Sequence, residues 1–181
     1  MALELNGTTG VSLVQDGVIT DANLPAGSVL QVVQTVKTDT FSTSSTSFVD
    51  VTGFSVSITP NSASNKILVM VDTKLGSDYN VSGFLKLIRG STDIYIGDGA
   101  SSSQRVFYGN GDDPSGEWPY QASAIFLDSP STTSSVTYKV QLLSEPVENT
   151  GTVYINRSGQ AGTSAASGRT ASSITVMEIA G

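Results

Sequence analysis

The chain has 181 residues, with 16 acidic side chains against 9 basic ones for a net charge of −7, and it contains neither cysteine nor histidine. Those counts exclude disulfide frameworks, thiolate metal sites and histidine-based nucleophilic catalysis. The lysines and arginines are spread singly, which argues against a phosphate-tracking groove and against polybasic membrane attachment.

Only 14% of residues are charged and 38% are hydrophobic, while serine and threonine supply roughly a quarter, far above ordinary usage. Several amphipathic helices would need more charge than this. Threonine, valine and isoleucine favour strands, and serine and glycine favour turns. The composition predicts an all-β chain.

Met1–Gly27 differs from the rest. Short apolar fragments carrying Leu3, Leu5, Val11, Leu13, Val18 and Ile19 alternate with Asn6-Gly7, Gly10, Asp16-Gly17 and Pro25-Ala-Gly27. None is long enough to bury itself, so the segment is expected to be an arm that gains order on a partner surface. It lacks the basic and apolar stretches of a secretory signal, and none is expected. No apolar run approaches the ~18–20 residues that cross a bilayer, so no membrane insertion is expected.

From Ser28 the chain reads as strands and turns. Ser28–Val36 is a β-branched run. Phe54, Val56 and Ile58 alternate with polar residues up to Pro60-Asn61. Lys66–Leu75 contains the continuous apolar run Ile67–Val71, the pattern of a strand covered on both faces. Phe84–Arg89 and Thr92–Ile96 flank Gly90-Ser91 as a hairpin. Arg105–Tyr108 is a short strand. Ala122, Ala124 and Phe126 alternate, as do Val136, Tyr138, Val140 and Leu142. Val153–Asn156 and Ser173–Ile179 complete the series. Thr38–Ser47, Gly97–Ser103 and Ser158–Ala171 read as surface loops. About nine or ten strands at this spacing predict an antiparallel sandwich or jelly roll over Ser28–Gly181.

Few constellations carry chemistry. Asp112, Asp113 and Glu117 cluster in the loop Gly109–Trp118. Paired carboxylates suit glycosidase chemistry, and with Asn110 they offer oxygen ligands to calcium. Pro114 and Ser115 break the helix–loop–helix calcium pattern, and a solvated turn is the reading taken. No metal and no cofactor are expected. Tyr108, Trp118 and Tyr120 bracket the acidic loop, and aromatics beside carboxylates suit saccharide or protein contacts. Tyr108, Asp112, Asp113, Trp118 and Tyr120 are therefore the candidate receptor-facing residues. Gly97-Asp-Gly99 and Gly109-Asn-Gly111 lack the strand–loop–helix setting of a phosphate cradle. No nucleic-acid partner is expected.

Three stretches carry a family resemblance: Gly7-Thr-Thr-Gly-Val11 with Leu24-Pro-Ala-Gly-Ser-Val-Leu-Gln31, Ser57-Ile-Thr-Pro60 with Ser64-Asn-Lys-Ile-Leu-Val69, and Ser172-Ser-Ile-Thr-Val-Met-Glu-Ile179. Together they resemble virion structural proteins of tailed bacteriophages, of the fibre and decoration (cement) kind. The resemblance implies a jelly-roll head like the trimeric tumour-necrosis-factor and complement-type folds, preceded by an N-terminal arm that docks on the particle. It implies no catalytic residues. The chain lacks the long shaft of a tail fibre, which favours a short protein on the capsid surface, made in the host cytoplasm.

The expectation is a non-enzymatic homotrimer docked through Met1–Gly27 onto the major capsid protein or another virion protein. The alternative is a tail-fibre tip or adhesin that binds a host-surface glycan. Tyr138, Val140 and Met177 are the candidates for the trimer interface or the core beside it.

Overall fold

Alternation in the longest strand sets the architecture. Along Lys66–Ser77 the side chains Ile67, Val69, Val71, Thr73 and Leu75 are buried while those between them stay partly or fully exposed. Successive side chains of a strand point to opposite faces, so one face of this strand belongs to a core. The computed structural model describes residues 24–99, 101–111, 118–146, 150–160 and 168–181. Among them there are eleven strands and no helix.

In chain order these are β1 (Val29–Lys37), β2 (Phe41–Thr43), β3 (Val49–Ile58), β4 (Lys66–Ser77), β5 (Val81–Arg89), β6 (Thr92–Ile94), β7 (Tyr108–Gly109), β8 (Tyr120–Asp128), β9 (Val136–Pro146), β10 (Val153–Ile155) and β11 (Ser172–Ile179). They form two antiparallel sheets. The first runs β1-β11-β4-β8, with β10 and β2 continuing beside the C-terminal end of β4. The second runs β3-β9-β5, with β6 and β7 both on β5.

The all-β sandwich expected from the composition is therefore what the chain forms, and each expected strand corresponds to an observed one. Two local readings differ. Thr38–Ser47 is not all loop, because Phe41–Thr43 pairs with β10. Arg105–Tyr108 contributes only the start of a two-residue strand, since Arg105 and its neighbours hold no ladder position beside β5.

The core lies between the sheets. Ile67, Val69, Val71, Ile174 and Val176 from the first sheet meet Phe54, Val56, Leu85, Leu87, Tyr138, Val140 and Leu142 from the second. Each fully buried large side chain contributes about 1.5–3 kcal/mol relative to exposure.

The sandwich has two distinct ends. The N-terminal end of β4, the start of β1 and the end of β11 meet where Lys66 and Val29 both lie opposite Ile179. At the other end Leu75 lies opposite Tyr120 and Ser77 opposite Val153.

Candidate functional site

At the end where β1 starts, the backbone closes tightly. Ser28 N donates to Pro25 O at 3.1 Å, Gly27 N to Ala180 O at 2.8 Å and Ala180 N to Ser28 O at 2.9 Å. Gly27 has φ +89, a left-handed value that favours glycine. Pro25-Ala-Gly27 is thus a turn fastened to the C-terminal residues.

Beneath it sits Glu178, a carboxylate with no exposed surface. Gln31 Nε2 donates to its Oε2 at 2.5 Å, and Asn65 Nδ2 and Asn61 N donate to Oε1 at 2.6 and 2.7 Å. Burial opposes ionisation of Glu178. The bonds from Asn65, Gln31 and the Asn61 and Ser62 amides outweigh it and hold the carboxyl below the usual range. A buried carboxylate satisfied by neutral donors fixes three segments at one point: the entry to β1, the β3–β4 turn and the end of β11. Nothing in the local sequence marks Glu178, because its partners come from 113 to 147 residues away.

The opposite end carries the longer connections and most of the exposed aromatics. Tyr79 in the β4–β5 turn is 65% exposed and Trp118 58%, with Tyr120 also exposed. Tyr108 on β7 is half-buried; burial and, to a lesser extent, Tyr120 raise its hydroxyl pKa. Of the candidate receptor-facing residues, Trp118 and Tyr120 therefore lie at this end, while Tyr108 stands opposite Leu85 in the middle of β5. Asp112 and Asp113 lie outside the described residues, as does Glu117.

Asn110 turns inward and is buried. Its Oδ1 accepts from Gly83 N at 2.5 Å and its Nδ2 donates to Ser77 Oγ at 3.4 Å. That side chain braces β5 against β4. No group of three acidic, histidine or cysteine side chains among the described residues forms a metal site.

Asn156 closes the same end. It has φ 66 and is fully buried. Its Nδ2 donates to Lys37 O and Asp39 O at 2.8 and 2.9 Å, and its Oδ1 accepts from Ser172 Oγ at 2.5 Å. Asparagine tolerates a left-handed backbone better than most residues. In the sequence Asn156 stands only as the last residue of the expected strand Val153–Asn156.

The trimer candidates separate. Tyr138 and Val140 have no exposed surface and belong to the core of the single chain; no second copy can touch them. Alternation marks them as facing inward, and inward here is toward the other sheet. Met177 is half-buried on the outer face of the first sheet. The arm candidates Leu3, Leu5, Val11, Leu13, Val18 and Ile19 lie outside the described residues.

No protein-family model and no curated protein matches this sequence. Among solved structures the chain is similar to the subviral particle of infectious bursal disease virus VP2, at 12% identity and TM-score 0.44 over 83% of this chain and 38% of that one. A mutant VP2 from T=1 particles of the same virus gives 12% and 0.44, covering 82% and 36%. The Gx strain of that virus gives 13% and 0.43, covering 84% and 41%. The chain spans about two fifths of the length of these proteins or slightly less. A likeness this low in identity and TM-score assigns no function.

Proposed function

We propose that this chain is a non-enzymatic virion structural protein of a tailed bacteriophage, a homotrimer on the capsid surface that docks through Met1–Gly27. The observation that carries the reading is the polarity of the sandwich. The arm joins β1 at one end, where hydrogen bonds from Gly27 to Ala180 and from Gln31 to Glu178 tie the junction to β11. The aromatic-bearing connections lie at the other end, beside Tyr120 and Val153. A body attached by its arm would present that far end outward. The phage resemblance of the three sequence stretches supports the setting. Many weak contacts on a symmetric shell would sum to lasting attachment.

The second reading, a tail-fibre tip or adhesin that takes a host glycan, is favoured by one observation. Tyr79 and Trp118 expose large aromatic surfaces at the outward end, and such surfaces stack on sugar rings. Counting copies in purified particles by quantitative mass spectrometry, with imaging of the protein in place, tests both. Hundreds of copies spread over the shell support the capsid reading. A few copies at the tail support the second and overturn the first.

A further inference from the structure

The outer faces of the two sheets differ in chemistry. On the β3-β9-β5 sheet, Ser55, Ser57, Thr137, Lys139 and Gln141 face solvent, and Lys139–Asp50 and Lys86–Asp93 pair at 2.7 Å. The β1-β11-β4-β8 sheet turns out one full apolar row and, on β4 and β8, part of a second. One row reads Val32, Met177, Leu68, Leu127 across the four strands; the next sets Gln34 and Thr175 beside Met70 and Ile125, and in the third Val36 is followed by Ser173, Asp72 and Ser123.

Val29, Val32, Val36, Ile125 and Leu127 expose 46–66% of their surface, and they are half of the exposed large hydrophobic residues described. Soluble monomers rarely leave contiguous apolar patches of this extent bare. The continuous run Ile67–Val71 gives the same message: it is the pattern of a strand covered twice, yet within one chain its outward side chains Leu68 and Met70 are only partly covered.

We propose that this outer face is the contact between copies of the chain, with the Val32/Val36 strip on β1 of one copy meeting the Ile125/Leu127 strip on β8 of the next. The proposal rests on the homotrimer reading above. The two strips sit on opposite margins of one face, three strand spacings or about 14 Å apart. Two different patches on one subunit are what a closed ring needs, because each copy offers one patch to each neighbour. A groove of about 290 Å³ between Met70, Asp72, Ser123, Ile125 and Thr175 provides a recess for the incoming valines.

Charge favours a second copy as the occupant. The chain carries −7, but the ionisable residues of this face are Lys66, Asp72 and Lys74, two cations and one anion, and Asp72 accepts from Gln121. Copies approaching on this side avoid the repulsion that the rest of the acidic surface would impose. A lone extended segment fits less well. Laid across apolar side chains, it would leave its own amides and carbonyls without partners on the buried side.

The test uses full-length protein, with light scattering and sedimentation at micromolar concentration. Wild type should run at three times the 18.7 kDa chain mass. Ile125→Asp with Leu127→Asp, and separately Val32→Asp with Val36→Asp, should each weaken self-association at least about thirty-fold, as loss of interface hot spots does. Far-UV circular dichroism should stay unchanged, since these side chains are exposed. If the acidic variants do not fold, Ile125→Ser with Leu127→Ser should move the equilibrium the same way. Combining Val32→Asp and Val36→Asp with Ile125→Lys and Leu127→Lys in one chain should restore the trimer.

A monomeric wild type overturns the homotrimer reading itself. A trimeric wild type whose folded variants also stay trimeric overturns only this surface. A fourfold variant that remains monomeric overturns the pairing of the two strips. If removing residues 1–23 leaves the assembly unchanged in mass but raises apolar-dye binding at this face, the arm is the occupant and the proposal is wrong.

Discussion

Tyr138 Oη donates to Asp128 Oδ2 at 2.7 Å, and the bond crosses from one sheet to the other. Arg89 completes the tie through Asp128 Oδ1 at 2.8 Å. Asp128 is nearly buried and Tyr138 wholly so, so a polar bridge pins the two sheets amid apolar packing. Such a bond fixes how the sheets align, which apolar contacts alone specify less sharply.

Tyr138→Phe removes the donor and leaves the Arg89–Asp128 pair. It should cost about 1.5–3 kcal/mol, the range for hydrogen bonds to charged groups. Burial, aided by the bond to Asp128, raises the Tyr138 pKa strongly. A group whose proton is held more tightly in the folded chain stabilises it below the unfolded pKa of 10.0. That stability is lost as pH rises beyond it. Thermal melts from pH 8 to 11 should fall more steeply for wild type than for Tyr138→Phe, and parallel curves would contradict the assignment.

Glu178 behaves in the opposite sense. Its folded pKa lies below the ordinary 4.5, so its stabilisation is present above that value and is lost as pH falls through the folded pKa. Glu178→Gln sets an amide donor among the donors of Gln31, Asn65 and Asn61. It should cost about 1–3 kcal/mol at pH 7 through unsatisfied buried groups. The gap between variant and wild type should narrow near pH 3 in urea melts. A gap independent of pH would show that the carboxylate charge plays no part.

The outward aromatics give a prediction specific to the glycan reading. Trp118→Ala with Tyr79→Ala should abolish binding to host-surface glycan on an array, a loss of at least tenfold, while the melt shifts by less than about 0.5 kcal/mol, as for exposed positions. Unchanged glycan binding would show that Tyr79 and Trp118 take no part in it. Purified protein should leave capsule and lipopolysaccharide intact, before and after Asp112→Asn or Glu117→Gln.

Much of the fold was legible because period-two alternation survives in nearly every strand. Val136, Tyr138, Val140 and Leu142 show one buried face plainly. Alternation does not say what buries it, and the other sheet, not a second copy, covers Tyr138 and Val140. β2 was illegible because three residues inside a serine-rich stretch carry no period, and only the partner β10 makes them a strand. The polar anchors Glu178, Asn156 and Asp128 were illegible for a related reason. A single polar residue in sequence looks like surface, and only register shows that its partners converge on it inside.

Attachment through the arm is tested by the binding of chain lacking Met1–Pro25 to particles stripped of this protein. Deletion up to Pro25 removes the bond from Ser28 to Pro25 but spares the two between Gly27, Ser28 and Ala180, so the sandwich should keep its fold and its oligomer. Full-length protein should rebind while the truncated form does not. Truncated protein that binds with full-length affinity would place docking on the sandwich and contradict it.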